Sequence, residues 1–186
     1  MGRNKTIDRD AVLDVAEHII RQSGAAGLTM DAVARAAGIS KGGVQSCFGT
    51  KDALIDAMFA RWEQDYQRIY QPIAGAAPDP VTRVRAHVEA TRLSDDLSNA
   101  KAAGLMAALI QSPEHLASTR EWYRQRVAGL NRADAGDRRA RLAFLATEGA
   151  FMLRYFGLLD IDRDEWDDIF ASILPLLDEA KRSNSN

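Results

Sequence analysis

Apolar positions recur at intervals of three and four along nearly the whole chain, and no stretch alternates as a half-buried strand would. The spacing predicts a first helix over 9–23, with Ala11/Val12, Val15/Ala16 and Ile19/Ile20 on one face. Asp8 and Asp10 favour its start and Gly24 its end. Thr29 is a natural cap for a short helix over 30–37, which Gly38 stops. Ser40 caps another over 41–48, with Val44 and Phe48 inward, and Thr50 caps a long one over 51–70. The segment 71–80 (QPIAGAAPDP) reads as a loop. Further helices are expected over 81–96, 101–111, 113–130, 137–158 and 164–181, with Pro175 kinking or breaking the last. A polar tail over 183–186 reads as disordered. The expected fold class is all-α, with about nine helices.

The two short helices and the turn Gly38-Ile39-Ser40 form a helix-turn-helix pattern. Gly38 supplies the left-handed turn, Ile39 plugs the angle between the helices, and Ser40 starts the helix whose first residues can enter a major groove about 12 Å wide. Composition agrees without compelling. Hydrophobic residues make up 46% and charged ones 27%, and the net charge is -2. Seven basic against five acidic residues fall in 1–51, and 17 against 21 in the rest, so a mildly basic head precedes an acidic body. No apolar run reaches the roughly 20 residues of a membrane span, and the first ten residues do not read as a secretory leader. The lone cysteine, Cys47, fits a reducing, cytoplasmic setting. No dinucleotide, phosphate-loop, zinc-protease or serine-hydrolase motif is present, so an enzyme is not expected, nor a cofactor. His18, His87 and His115 lack metal-ligand spacing.

The run Leu28-Thr29-Met30-Asp31-Ala32-Val33-Ala34-Arg35-Ala36-Ala37-Gly38-Ile39-Ser40-Lys41-Gly42-Gly43-Val44, followed by Phe48 and Lys51-Asp52-Ala53-Leu54, resembles the head of the TetR family of repressors. The resemblance covers about 9–54; beyond it only the number, length and order of helices correspond. It implies a helix-turn-helix DNA-binding domain over 1–51 and a ligand-binding, dimerising body over 52–186. Two departures bear on specificity. Gly43 stands where the family usually has Thr, and Gln45-Ser46-Cys47 where it has Tyr-His-Tyr. A hydroxyl and two aromatic contacts are lost, so this recognition helix should prefer its own operator. Thr29, Lys41 and Lys51 are candidate phosphate contacts; Gln45 can bond adenine in two places, Ser46 can reach a base or phosphate, and Gly42 and Gly43 permit close backbone approach, unless they only loosen the packing. Cys47 reads either as a half-buried spacer beside Phe48 or as a redox switch in the DNA interface.

The resemblance further implies a pocket lined by some of Met58, Trp62, Tyr66, His87, Met106, Trp122 and Arg126, suited to a small apolar or aromatic effector, although such residues also make ordinary core. It implies homodimerisation through the last two helices, with Leu145, Met152, Phe156, Phe170, Ile173 and Leu177 serving core and partner, and hence a palindromic double-stranded operator. The rival reading is a ligand-independent DNA-binding or interaction protein built on the same helices.

Overall fold

The computed structural model describes residues 7–110 and 113–183. The expected helix end at Gln111 and the tail over 184–186 lie outside them, whereas Ser183 closes the last helix. Among the described residues every regular element is an α-helix: α1 (Arg9–Gly27), α2 (Met30–Ala37), α3 (Lys41–Phe48), α4 (Lys51–Ala74), α5 (Pro80–Leu93), α6 (Asp96–Leu109), α7 (Pro113–Arg126), α8 (Ala135–Tyr155) and α9 (Arg163–Ser183). The all-α expectation holds, and so does the number of helices.

The chain forms two compact units. The first comprises Met1–Glu63 and Ala100–Leu116. Its core is the α1 stripe Val12, Ala16 and Ile20 packed with Val33, Val44 and Leu54, each between 0% and 5% exposed. A side chain at Gly104 would meet Ile20 Cγ2 at 2.8 Å, so the glycine sets how closely α6 approaches α1. Gly24 has φ 68 and ψ 178, conformations that a residue with a Cβ rarely adopts. The helix therefore breaks where the glycine predicts, but one further turn follows and carries Ala25 into the core.

The second unit comprises Gln64–Asn99 and Ala117–Asn186, with α5, α8 and α9 packed on one another. Asp79 caps α5 by accepting from Thr82 N at 2.8 Å, with Pro80 in the first turn, and Asp134 caps α8 from Asp137 N at 2.8 Å. On α9, Trp166, Phe170, Ile173 and Leu177 recur at helical spacing, all buried.

Two expectations about proline need correction. The segment 71–74 is the last turn of α4 rather than loop, and α9 runs through Pro175 without a break. Both Pro72 and Pro175 are exposed. A helix that passes through proline frees one carbonyl, and on a solvent-facing side water satisfies it.

Candidate nucleic-acid interface and a buried aromatic cluster

The turn between α2 and α3 is held by local hydrogen bonds. Thr29 Oγ1 accepts from Ala32 N at 3.0 Å, and Ser40 Oγ accepts from Gly43 N at 3.0 Å. Gly38 adopts φ 66 and ψ 30, and its turn is closed by Ile39 N donating to Ala34 O at 3.0 Å. Each cap satisfies an amide that the helix itself leaves unpaired. A hydroxyl that accepts one such bond still has its own proton, so Thr29 and Ser40 remain able to donate to a phosphate.

Along α3, Lys41, Gly42, Gln45 and Ser46 are exposed, Gly43 and Cys47 are half-buried, and Val44 and Phe48 are inward. The polar candidates thus share the outer side of one short helix. Lys41 Nζ lies 2.8 Å from Asp31 Oδ2, with both side chains more than half exposed. Such a pair contributes about 0–1 kcal/mol and yields readily to a phosphate. Lys51, the first residue of α4, is half-buried.

Two residues that the sequence reading passed over support this helix. Arg9 donates from Nη1 to Cys47 O, and its guanidinium sits 4.4 Å above the Phe48 ring. The carbonyl end of α3 is therefore held by a cation, which complements its dipole. Ile7 explains Gly43: a Cβ there would meet Ile7 Cδ1 at 2.9 Å. Nothing lies closer than 3.9 Å to a Cβ at Gly42. Cys47 packs against the first unit's core.

Of the candidate ligand residues, the structure brings four together in the second unit. Tyr66, His87, Trp122 and Arg126 meet in one cluster, joined by Tyr70, Tyr123, Phe144 and Glu148. His87 is 2% exposed; its Nε2 is 2.6 Å from Glu148 Oε1 and its Nδ1 is 2.8 Å from the Tyr66 hydroxyl. The two ring nitrogens thus bridge the Glu148 carboxylate and the Tyr66 hydroxyl, which fixes the orientation of the ring. Tyr123 donates to the other carboxylate oxygen at 2.8 Å. Burial pushes the Tyr66 hydroxyl well above the ordinary tyrosine value, against the opposing pull of Arg126. Burial likewise raises Tyr123, and the neighbouring Glu148 charge raises it further.

Arg126 is 6% exposed, with its guanidinium 4.2 Å from the Trp122 ring centre, 4.7 Å from Tyr70 and 5.5 Å from Tyr66. The other three candidates are elsewhere. Met58 is in the first unit's core, Trp62 packs on Phe59 with ring centres 5.5 Å apart, and Met106 is half-buried in the same unit. Glu148 was the residue to find from sequence, a carboxylate set among the apolar positions of α8.

The candidate dimer residues divide. Leu145 and Phe156 are 59% and 37% exposed, and Met152 is half-buried. Phe170, Ile173 and Leu177 are at most 4% exposed within the single chain. Within the single chain their stripe is taken up by packing inside the second unit. Leu142 and Leu153, 55% and 40% exposed, share α8 with Leu145 and Met152, and Phe156 caps that helix; neither leucine was among the candidates.

A capped helix-turn-helix with an exposed polar second helix, followed by a helical body, defines a helix-turn-helix DNA-binding protein. Residues 12–58 match the family described as "Bacterial regulatory proteins, tetR family", and residues 81–178 match "Tetracyclin repressor-like, C-terminal domain". The chain belongs to the TetR family of DNA-binding transcriptional regulators. It is 37% identical over 87 residues to the HTH-type transcriptional regulator BetI of Paraburkholderia phytofirmans, a match that spans 46% of this chain and 45% of that relative. The chain thus covers a little under half of that relative's length. Its fold is similar to a transcriptional regulator from Rhodococcus sp. Rha1 (TM-score 0.67, 18% identity, covering 92% of this chain and 96% of that one). It is similar as well to NalD, the secondary repressor of the MexAB-OprM multidrug efflux pump in Pseudomonas aeruginosa (TM-score 0.57, 19% identity, 92% and 95% covered). Among the described residues no helix is long and apolar enough to cross a membrane.

Proposed function

We propose that this chain is a cytoplasmic, non-enzymatic repressor that binds a palindromic operator as a homodimer and leaves it when a small molecule occupies the body. The observation that carries the DNA-reading part is the outer face of α3, where Lys41, Gln45 and Ser46 stand exposed on a helix fixed at both ends. Gln45 reads a base edge, while Thr29, Ser40, Lys41 and Lys51 hold the phosphates that set the register. Gly42, Gly43 and Ser46 bring the backbone and a hydroxyl close to the duplex, and Cys47 lies behind them as a spacer.

Two copies reading two half-sites about 34–36 Å apart require a fixed separation. The exposed apolar residues Leu142, Leu145, Leu153 and Phe156, with Met152 beside them, supply a surface for a second copy. A methyl group at Gly149, between them in sequence, would meet nothing within 4 Å, so the centre of this surface is open to close helix approach. Helix α4 contributes residues to both units, 51–63 to one and 64–74 to the other. An effector that favours one position of its second half shifts the equilibrium between bound and released dimers, by no more than its differential affinity for the two states.

The test is selection of random duplexes by the purified protein at physiological salt. The expected result is an enriched palindrome whose affinity falls by about tenfold or more with Gln45→Ala, the loss of a base contact of roughly 1–3 kcal/mol. Salt-sensitive binding that is equal for all sequences overturns the reading and favours the ligand-independent alternative.

A further inference from the structure

The cluster in the second unit contains one cation whose needs the chain does not meet. Arg126 Nε and Nη2 are buried without a hydrogen-bond partner. Three aromatic rings surround its guanidinium, and such rings attract a cation through their faces. That attraction acts on the charge; Arg126 also bonds the Tyr66 hydroxyl, but the in-plane N–H groups of Nε and Nη2 are left without acceptors. The one carboxylate in the cluster does not serve them. Glu148 has Oε1 on His87 and Oε2 on Tyr123. An arginine stays charged at any accessible pH, so it cannot relieve its burial by losing a proton.

The two unpartnered nitrogens are adjacent along one edge of the guanidinium plane. Their N–H bonds run parallel, the fork that meets both oxygens of a carboxylate at once. We propose that this edge of Arg126 is the anchor for a carboxylate-bearing organic effector with an apolar or aromatic body. The arginine also excludes the opposite class. Its own cation lies against Tyr70 and Trp122, the faces that a cationic ligand would need. This inference deepens the effector-controlled reading and names the chemical class that the body senses.

The full chain is tested by thermal unfolding and tryptophan fluorescence with phenylacetate, 2-naphthylacetate and decanoate, each beside its neutral amide. The acids are expected to raise the melting temperature and the amides to raise it far less, because stabilisation follows affinity. Arg126→Met is expected to weaken binding of the acids by about tenfold or more, the loss of a bidentate charge-assisted contact, while melting where the parent does. Acids that bind no better than amides, or that bind Arg126→Met as well as the parent, overturn the proposal, as does the absence of any response to the acids.

Should Arg126→Met fail to fold, Arg126→Lys keeps the charge and loses the fork. It is expected to retain the preference for acid over amide at reduced affinity, and loss of that preference in a folded Lys variant overturns the proposal. Release of the selected operator is scored separately. Operator release by the neutral amides with Arg126 irrelevant sinks the anion site and leaves regulation standing. Acids that bind through Arg126 yet leave the operator bound sink effector control and leave the site.

Discussion

The helix-turn-helix and the buried cluster of the second unit treat their polar groups in opposite ways. In the helix-turn-helix, each special side chain bonds to backbone within three residues of itself: Thr29 to Ala32, Ser40 to Gly43, Thr50 to Ala53. The outer face of α3 is then left to water. In the aromatic cluster of the second unit the polar groups are buried and bonded across long stretches of chain: Tyr66 to His87, His87 to Glu148, Tyr123 to Glu148. A local network fixes a shape and exposes its chemistry. A distant, buried one holds chemistry away from water, where an unpaired charge is costly and a matching ligand binds strongly.

The comparison is broken most directly at Glu148. Glu148→Ala removes the partner of two buried groups, His87 Nε2 and the Tyr123 hydroxyl, at about 1–3 kcal/mol for each. The urea-unfolding midpoint is expected to fall sharply at unchanged slope. A loss below about 1 kcal/mol would mean that water reaches the cluster and that the network is no core element.

Alkaline pH sharpens the contrast further, because all four tyrosines, Tyr66, Tyr70, Tyr123 and Tyr155, belong to the second unit. Burial raises Tyr66 and Tyr123 strongly, and burial with the Asp96 hydrogen bond raises Tyr155 to about 12. Each folded value lies above the unfolded value of about 10. The proton is therefore held more tightly in the folded chain, and the stability this supplies is complete below pH about 10 and is lost as pH rises through the folded values. Ultraviolet titration of tyrosinate should show Tyr155 ionising near pH 12, with Tyr66 and Tyr123 released only on unfolding. Full ionisation near pH 10 in a chain that keeps its helical circular dichroism would contradict the buried placement.

These two networks differ in how far the sequence discloses them. Caps and turn residues act on neighbours in the chain, so Thr29, Gly38 and Ser40 announce their roles by position alone. The reason for Gly43 is hidden, since Ile7 reaches it from 36 positions away, and so is the clasp of Arg9 on Cys47 and Phe48. In the second unit Tyr66, His87, Trp122 and Arg126 stand out by residue type. Their grouping depends on the packing of α4, α5, α7 and α8, which periodicity does not specify. Periodicity also cannot tell which of two apolar stripes turns inward. Phe170, Ile173 and Leu177 look as able to meet a partner as Leu145 does, until α9 is seen to spend them on its own core.

The caps come next in size. Thr29→Ala leaves the Ala32 amide unbonded, and Ser40→Ala removes the side-chain bond from a Gly43 amide that also donates to Ser40 O at 2.9 Å; each should lower stability by about 1 kcal/mol or less, with Ser40→Ala the milder, read by thermal unfolding. Either change should weaken operator binding beyond that figure, since the hydroxyl proton is lost to the phosphate as well. Equal losses of stability and affinity would restrict both residues to structure.

The smallest effects separate the two glycines of α3. Both sit in a helix, where glycine is roughly 0.5–1 kcal/mol worse than alanine, so Gly42→Ala should raise the melting temperature because open space receives its methyl. At Gly43 the same gain is opposed by contact with Ile7 Cδ1 at 2.9 Å, the flexible end of a side chain that can turn aside at some loss of packing. Gly43→Ala should therefore be close to neutral, and Gly43→Ala with Ile7→Ala should recover part of the difference. If backbone approach to DNA is why these glycines are present, both alanine variants bind the operator more weakly despite equal or greater stability. Unchanged affinity in Gly42→Ala, whose methyl points into solvent, would show that the duplex does not come so near, and would leave Ile7 as the whole reason for Gly43.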